Sequence, residues 1–191
     1  IRNEDFLIAS KDLILAPDDI LYIACPIEQI DEVVEIFVVN PRPRNRIMVM
    51  GGDRLSWMLT EKLINTPGVH VKHVEVNEKD CPLIEESNSQ LIFLVGEPTE
   101  QSFLASENIH DVDVFVAASP NEEDNILAAL MAKKMGAKMV ISRVNKGYYF
   151  PIASAIGIDV VVAPRMLAIG DVLKALRKGK ILSISSLGEA P

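Results

Sequence analysis

The chain has 191 residues, enough for one good-sized domain and pieces of another. Hydrophobic residues make up 49%, yet no apolar run approaches the roughly 20 residues of a membrane span, so direct membrane insertion is not expected. A net charge of −8 argues against a nucleic-acid footprint, and two distant cysteines, Cys25 and Cys81, fit free thiols in a reducing compartment rather than a disulfide framework. Residues 1–39 carry a pattern of their own. Apolar runs at 5–9, 12–15 and 20–24, with a turn at Pro17-Asp18-Asp19, read as three strands. Residues 27–37, with Ile30, Val33, Val34 and Phe37 on one face, read as an amphipathic helix. These elements bury too little to stand alone, so residues 1–39 are expected to be the tail of a small α+β subdomain. Residues 40–45 read as a linker, because Pro41 and Pro43 remove backbone donors and Arg42 and Arg44 keep it solvated.

From Arg46 onward strands and helices alternate. Strands are expected at 46–50, 70–76, 91–95, 112–117, 137–142 and 159–163, and helices at 57–64, 100–106, 121–135, 148–156 and 165–177. The strands are continuous apolar runs, as when helices cover both faces. The expected fold is therefore α/β: a Rossmann-like, doubly wound parallel sheet of six strands in the order 3-2-1-4-5-6, spanning 46–179. Residues 180–191 read as the start of a following subdomain, with a strand at 180–187. No secretory signal is visible and the chain does not begin with Met, so an excised or processed piece of a cytosolic protein is expected.

The first strand runs into Gly51-Gly52-Asp53-Arg54-Leu55-Ser56, and Glu75 follows near the end of the second. Strand, tight turn, helix, strand and acid about 20 residues on is the layout of a dinucleotide-binding unit, in which the acid holds a ribose hydroxyl pair. The fingerprint asks for glycine at its first, third and sixth positions, and here Gly51, Asp53 and Ser56 stand there. Asp53 brings a negative charge to the helix end that would receive a pyrophosphate, and is expected to weaken binding of multiply charged phosphates. Ser56 is small enough for close helix–strand packing. The same six residues also suit an ordinary structural loop, and Glu75 also suits a strand ending in solvent.

Two helices are unusually apolar. Ile126 to Ala132 are consecutive apolar residues, which fits either deep burial or, the favoured alternative, an outer face packed on another subunit. The closing helix carries Met166, Leu167, Ile169, Val172, Leu173 and Leu176, so at least a homodimer is expected. His70, His73 and His110 have no metal spacing and read as surface residues. Glu85-Glu86 and Glu122-Glu123-Asp124 read as solvated helix ends. Catalysis has no support: Tyr148 and Tyr149 have Ile152 and Ala153, not lysine, four residues on, and no serine or cysteine has a histidine partner. An NAD-dependent oxidoreductase is thus the minor alternative.

Five stretches in order, Gly51 to Leu55 with Val74 to Asn77, Gly96 to Glu100, Asn121 to Ile126, Ser142 to Val144 and Gly157 to Val161, resemble the nucleotide-binding domain of the RCK (KTN) family, TrkA type. Residues 1–37 resemble the end of that family's C-terminal subdomain, and 165–178 its crossover helix. The order is that of a tandem chain, joining the end of one pair to the nucleotide-binding domain of the next. The resemblance implies a cytoplasmic regulatory subunit at the inner face of the membrane, partnered with a potassium channel or transporter, binding NAD(H), ATP or ADP without catalysis. A degenerate scaffold that binds no ligand is the other implied outcome. Carried over by position, Gly51, Gly52, Asp53, Arg54 and Leu55 would lie along the phosphates. Glu75, Val76 and Asn77 would take the ribose edge, Gly96 and Glu97 would sit near the adenine, and Ala117, Ala118 and Ser119 would line the crevice. Arg143 would face the site, with pairing to Glu97 or Asp124 as the structural alternative. Departures from the family pattern are Asp53 and Ser56 for glycine, Glu97 for aspartate and Pro98 for alanine.

Overall fold

The structure is a computed structural model that describes residues 7–8, 10–17, 19–37, 44–77 and 89–176. The chain divides into two compact units, 1–43 and 44–191. In the first, a 3-10 turn at Ile27–Gln29 leads into α1 (Ile30–Phe37). No strand forms over 12–15 or 20–24, contrary to expectation. Apolar alternation gives only the capacity for a strand, which exists once a neighbouring backbone completes its ladder. The run at 5–9 falls mostly outside the described residues, as do Cys81, Glu85-Glu86 and 180–191. No described residue of this unit is buried, and Ile8, Ile14, Ile36 and Phe37 are among the exposed ones. The unit therefore has no core among these residues.

The second unit holds β1 (Arg46–Met50), α2 (Arg54–Ile64), β2 (His70–Glu75), β3 (Leu91–Val95), α3 (Gln101–Ser106), β4 (Val114–Ala117), α4 (Glu122–Lys134), β5 (Met139–Arg143), α5 (Tyr149–Ala155), β6 (Val160–Val162) and α6 (Pro164–Leu176). The six strands form one parallel sheet in the order β3-β2-β1-β4-β5-β6, as expected. Alternate residues of each strand face opposite sides. Met48, Met50, Phe115, Ala117 and Val140 pack with the helices α3, α4 and α5, while Ile47, Val49, Val71 and Val114 pack with Leu59, Leu63 and Ile64 of α2.

The two apolar helices behave differently. α4 lays Ala128, Ala129 and Ala132, all fully buried, on the sheet, and small side chains let it approach β4 and β5 closely. Ile126 and Met131 pack against the same core, and Leu127 is the one large hydrophobic residue it exposes. Its apolar composition is thus used mainly within the chain, and the outer face expected to meet another subunit shrinks to Leu127 with the half-buried Leu130. α6 is the reverse: Met166, Leu167, Ile169, Val172, Leu173 and Leu176 are all exposed.

Candidate functional site

β1 pairs with β2 on one side and β4 on the other, so chain order reverses at β1. In open parallel sheets the loops part at such a switch point and leave a hollow beyond the carboxyl ends of the strands. A crevice of about 500 Å3 opens there. It is lined by Met50, Gly51, Gly52, Asp53, Val74, Glu75, Val76, Asn77, Glu97, Ser119, Pro120, Asn121 and Asp124.

Two glycines let the turn after β1 lie this close to its neighbours. Gly51 has φ +138°, and a Cβ there would press on the backbone of Ala118 and Ser119 at 2.8–3.0 Å. A Cβ on Gly52 would collide with the Glu75 carboxylate. Glu75, only 6% exposed, therefore lies against the turn instead of ending β2 in solvent.

Under the turn sits His73, fully buried, where a surface residue was expected. Its Nε2 lies 2.7 Å from the Gly51 carbonyl and its Nδ1 2.7 Å from Thr60 Oγ1. A carbonyl only accepts, so Nε2 carries the proton, and in the neutral ring Nδ1 accepts from the threonine hydroxyl. Ser56 Oγ donates to the same carbonyl at 2.6 Å. Trp57 stacks on the ring at 3.7 Å between centroids. Burial lowers the imidazole pKa to about 4, against the opposing pull of the Gly51 carbonyl. The signal for this placement was alternation: His73 shares a face of β2 with Val71, and β2 is covered on both sides. His70 and His110 are exposed, as expected.

Above the turn, Asp53 caps α2. Its Oδ1 accepts from the Ser56 N–H at 3.1 Å and its Oδ2 from Arg143 Nη1 at 2.5 Å. Arg143 Nη1 also donates to the Ala118 carbonyl at 3.0 Å. Burial works against the Asp53 carboxylate, but Arg143 and the Ser56 N–H outweigh it and hold its pKa below the ordinary value. The partner of Arg143 is thus Asp53, not Glu97 or Asp124, and Arg143 rather than the exposed Arg54 offsets the Asp53 charge. Glu97 instead accepts from its near neighbour, Thr99 Oγ1, at 2.7 Å.

Asn125, whose role sequence reasoning passed over, fixes the far rim. Fully buried, it accepts from the Ser119 N–H and donates to the Ser119 and Arg143 carbonyls, all at 2.9 Å. A lone amide entering the apolar run of α4 was its only trace in the sequence. Of the other expected site residues, Gly51, Gly52, Asp53, Glu75, Val76, Asn77, Glu97 and Ser119 converge on the crevice. Arg54, Leu55, Gly96, Ala117, Ala118 and Arg143 are not in its lining. Leu55 and Arg143 border a separate apolar groove of about 520 Å3 on the α2 face. Gly96 lies so close to Phe103 that a Cβ would strike its ring, and Ala117 and Ala118 are buried.

The family model described as the TrkA-N domain matches residues 47–164, from β1 to the start of α6. The chain belongs to the TrkA-N domain family. Over 179 residues it is 31% identical to Trk system potassium uptake protein TrkA homolog 2 of Methanosarcina mazei, covering 94% of this chain and 40% of that one. It therefore spans well under half the length of that relative. The TrkA-N domain of inner membrane protein ybaL from Escherichia coli superposes with a TM-score of 0.61 at 15% identity, over 71% of this chain and 98% of that one. The GsuK channel bound to NAD superposes with a TM-score of 0.57 at 21% identity, over 71% of this chain and 24% of that one. At these identities the structures show a common fold. Within this TrkA-N domain the crevice is acidic: Asp53, Glu75, Glu97 and Asp124 line it, and among the described residues no lysine or arginine does.

Proposed function

We propose that this chain is part of a cytoplasmic regulatory subunit of potassium uptake, lying at the inner face of the membrane. Its TrkA-N domain binds NAD(H) or another adenine nucleotide and biases the gate of a membrane potassium channel or transporter. The observation that carries this is Glu75, whose buried carboxylate lies against Gly52 at the switch point, where a ribose diol can donate to it. The potassium uptake role named for the relative and the NAD in the GsuK structure support the class of function and ligand. The subunit is regulatory rather than catalytic: His73, the buried imidazole nearest the turn, engages Thr60 and Gly51 and does not line the crevice.

Ligand binding regulates only by favouring one of two states. The exposed apolar residues of α6 supply a surface for such a change, since a patch of this kind marks an interaction site. The helix packs on a second copy, giving at least a dimer, and a clean monomer by light scattering at about tens of micromolar contradicts that part. A second reading, a scaffold with no ligand, draws on the Asp53–Arg143 pair, which fills the anion position of the turn. Thermal unfolding with adenosine, AMP, ADP, ATP, NAD and NADH separates the two, because a ligand of the native state raises its stability by mass action. At least one ligand is expected to raise Tm with concentration, and less so in Glu75→Gln. No shift with any of them favours the scaffold.

A further inference from the structure

We infer that the crevice selects an uncharged nucleoside, a vicinal diol joined to a flat base, over the phosphorylated forms of the same nucleoside. This rests on the nucleotide-site reading above and ranks its ligands, the phosphorylated forms binding more weakly than the nucleoside they contain. A phosphate-binding turn offers an anion the N–H groups of a helix end and, commonly, a cation. Here one of those N–H groups and the cation are engaged by one side chain. Asp53 Oδ1 takes the Ser56 N–H at 3.1 Å and Oδ2 takes Arg143 Nη1 at 2.5 Å, so the turn carries its own anion.

Arg143 cannot turn to a ligand freely. The same Nη1 is bonded to the Ala118 carbonyl, and its side chain is 18% exposed. Among the described residues, an incoming phosphate must displace Asp53 or go without a counter-charge, and Glu75, Glu97 and Asp124 add like charge around it. A neutral nucleoside meets none of this. Its hydroxyls have an acceptor in Glu75, and its base has apolar surface on Val76 and Pro120.

Calorimetric titration of the 191-residue chain with adenosine, AMP, ADP and ATP at low and high salt is the test. Affinity should fall with each added phosphate, ATP binding at least tenfold more weakly than adenosine, and salt should narrow the gap by screening the repulsion. In Asp53→Asn, which keeps an acceptor at the cap and removes the charge, the ratio of ATP to adenosine affinity should shift at least tenfold toward ATP. An unchanged ratio in a folded variant overturns the role of Asp53, and the salt series on the unaltered chain stands if the variant does not fold. ATP binding as tightly as adenosine overturns the selectivity and leaves the nucleotide site in place. No binding by any of the four to either protein overturns the selectivity, and if NAD and NADH also fail to bind, the nucleotide site as well.

Discussion

The two sides of the turn at 51–56 are built from different chemistry. Underneath, the Gly51 carbonyl is held by neutral donors, His73 and Ser56, in a closed layer with Thr60 and Trp57. Above, Asp53 and Arg143 form a charged pair beside an open, acidic crevice. The underside fixes where the backbone goes, and the upper side decides which charges are welcome there. A turn can therefore keep the geometry of a nucleotide-binding fold while its ligand preference changes.

The two sides should come apart in acid. The His73 pKa of about 4 lies below the ordinary 6.5. Above 6.5 both folded and unfolded states are neutral there, so the buried ring costs nothing. Between 6.5 and about 4 the unfolded chain takes a proton that the folded chain refuses, so stability falls as pH falls, and it levels off below 4. The loss should approach about 3 kcal/mol at roughly 1.4 kcal/mol per pH unit. Urea unfolding across this range should show it, and a folded His73→Val variant should lack it. An unchanged slope in the variant would place the acid sensitivity elsewhere.

Asp53 has the same sign and a lower window. Its depressed pKa means the carboxylate stabilises the fold above the ordinary range near 3.8, and that contribution is lost only as pH falls through the folded value. Asp53→Ala at neutral pH removes the cap of α2 and the partner of Arg143, and should cost about 1–2 kcal/mol in urea unfolding. A cost near zero would mean the pair is formed too loosely to hold the upper side of the turn.

Much of the fold was legible because its signals are local. Continuous apolar strands, a glycine turn and an acid at the end of β2 give the sheet order and the switch point from short-range patterns. The contacts that set the site's charge are long-range. Arg143 ends β5, 90 residues from Asp53, and nothing in either neighbourhood names the other. The burial of α4 was misjudged for a related reason: composition shows that a helix is apolar, but only the alanines at 128, 129 and 132 show that the sheet itself takes up that face. In the first unit alternation was read as strands where no ladder forms, since pairing depends on a partner backbone and not on the run itself.

The most direct test of the central claim is a crystal structure of the chain with adenosine. The nucleoside should lie in the crevice at the switch point, its ribose hydroxyls within hydrogen-bond distance of the Glu75 carboxylate and the Asp53–Arg143 pair intact beside it. Adenosine bound elsewhere, or in the crevice with its diol turned from Glu75, would contradict the account.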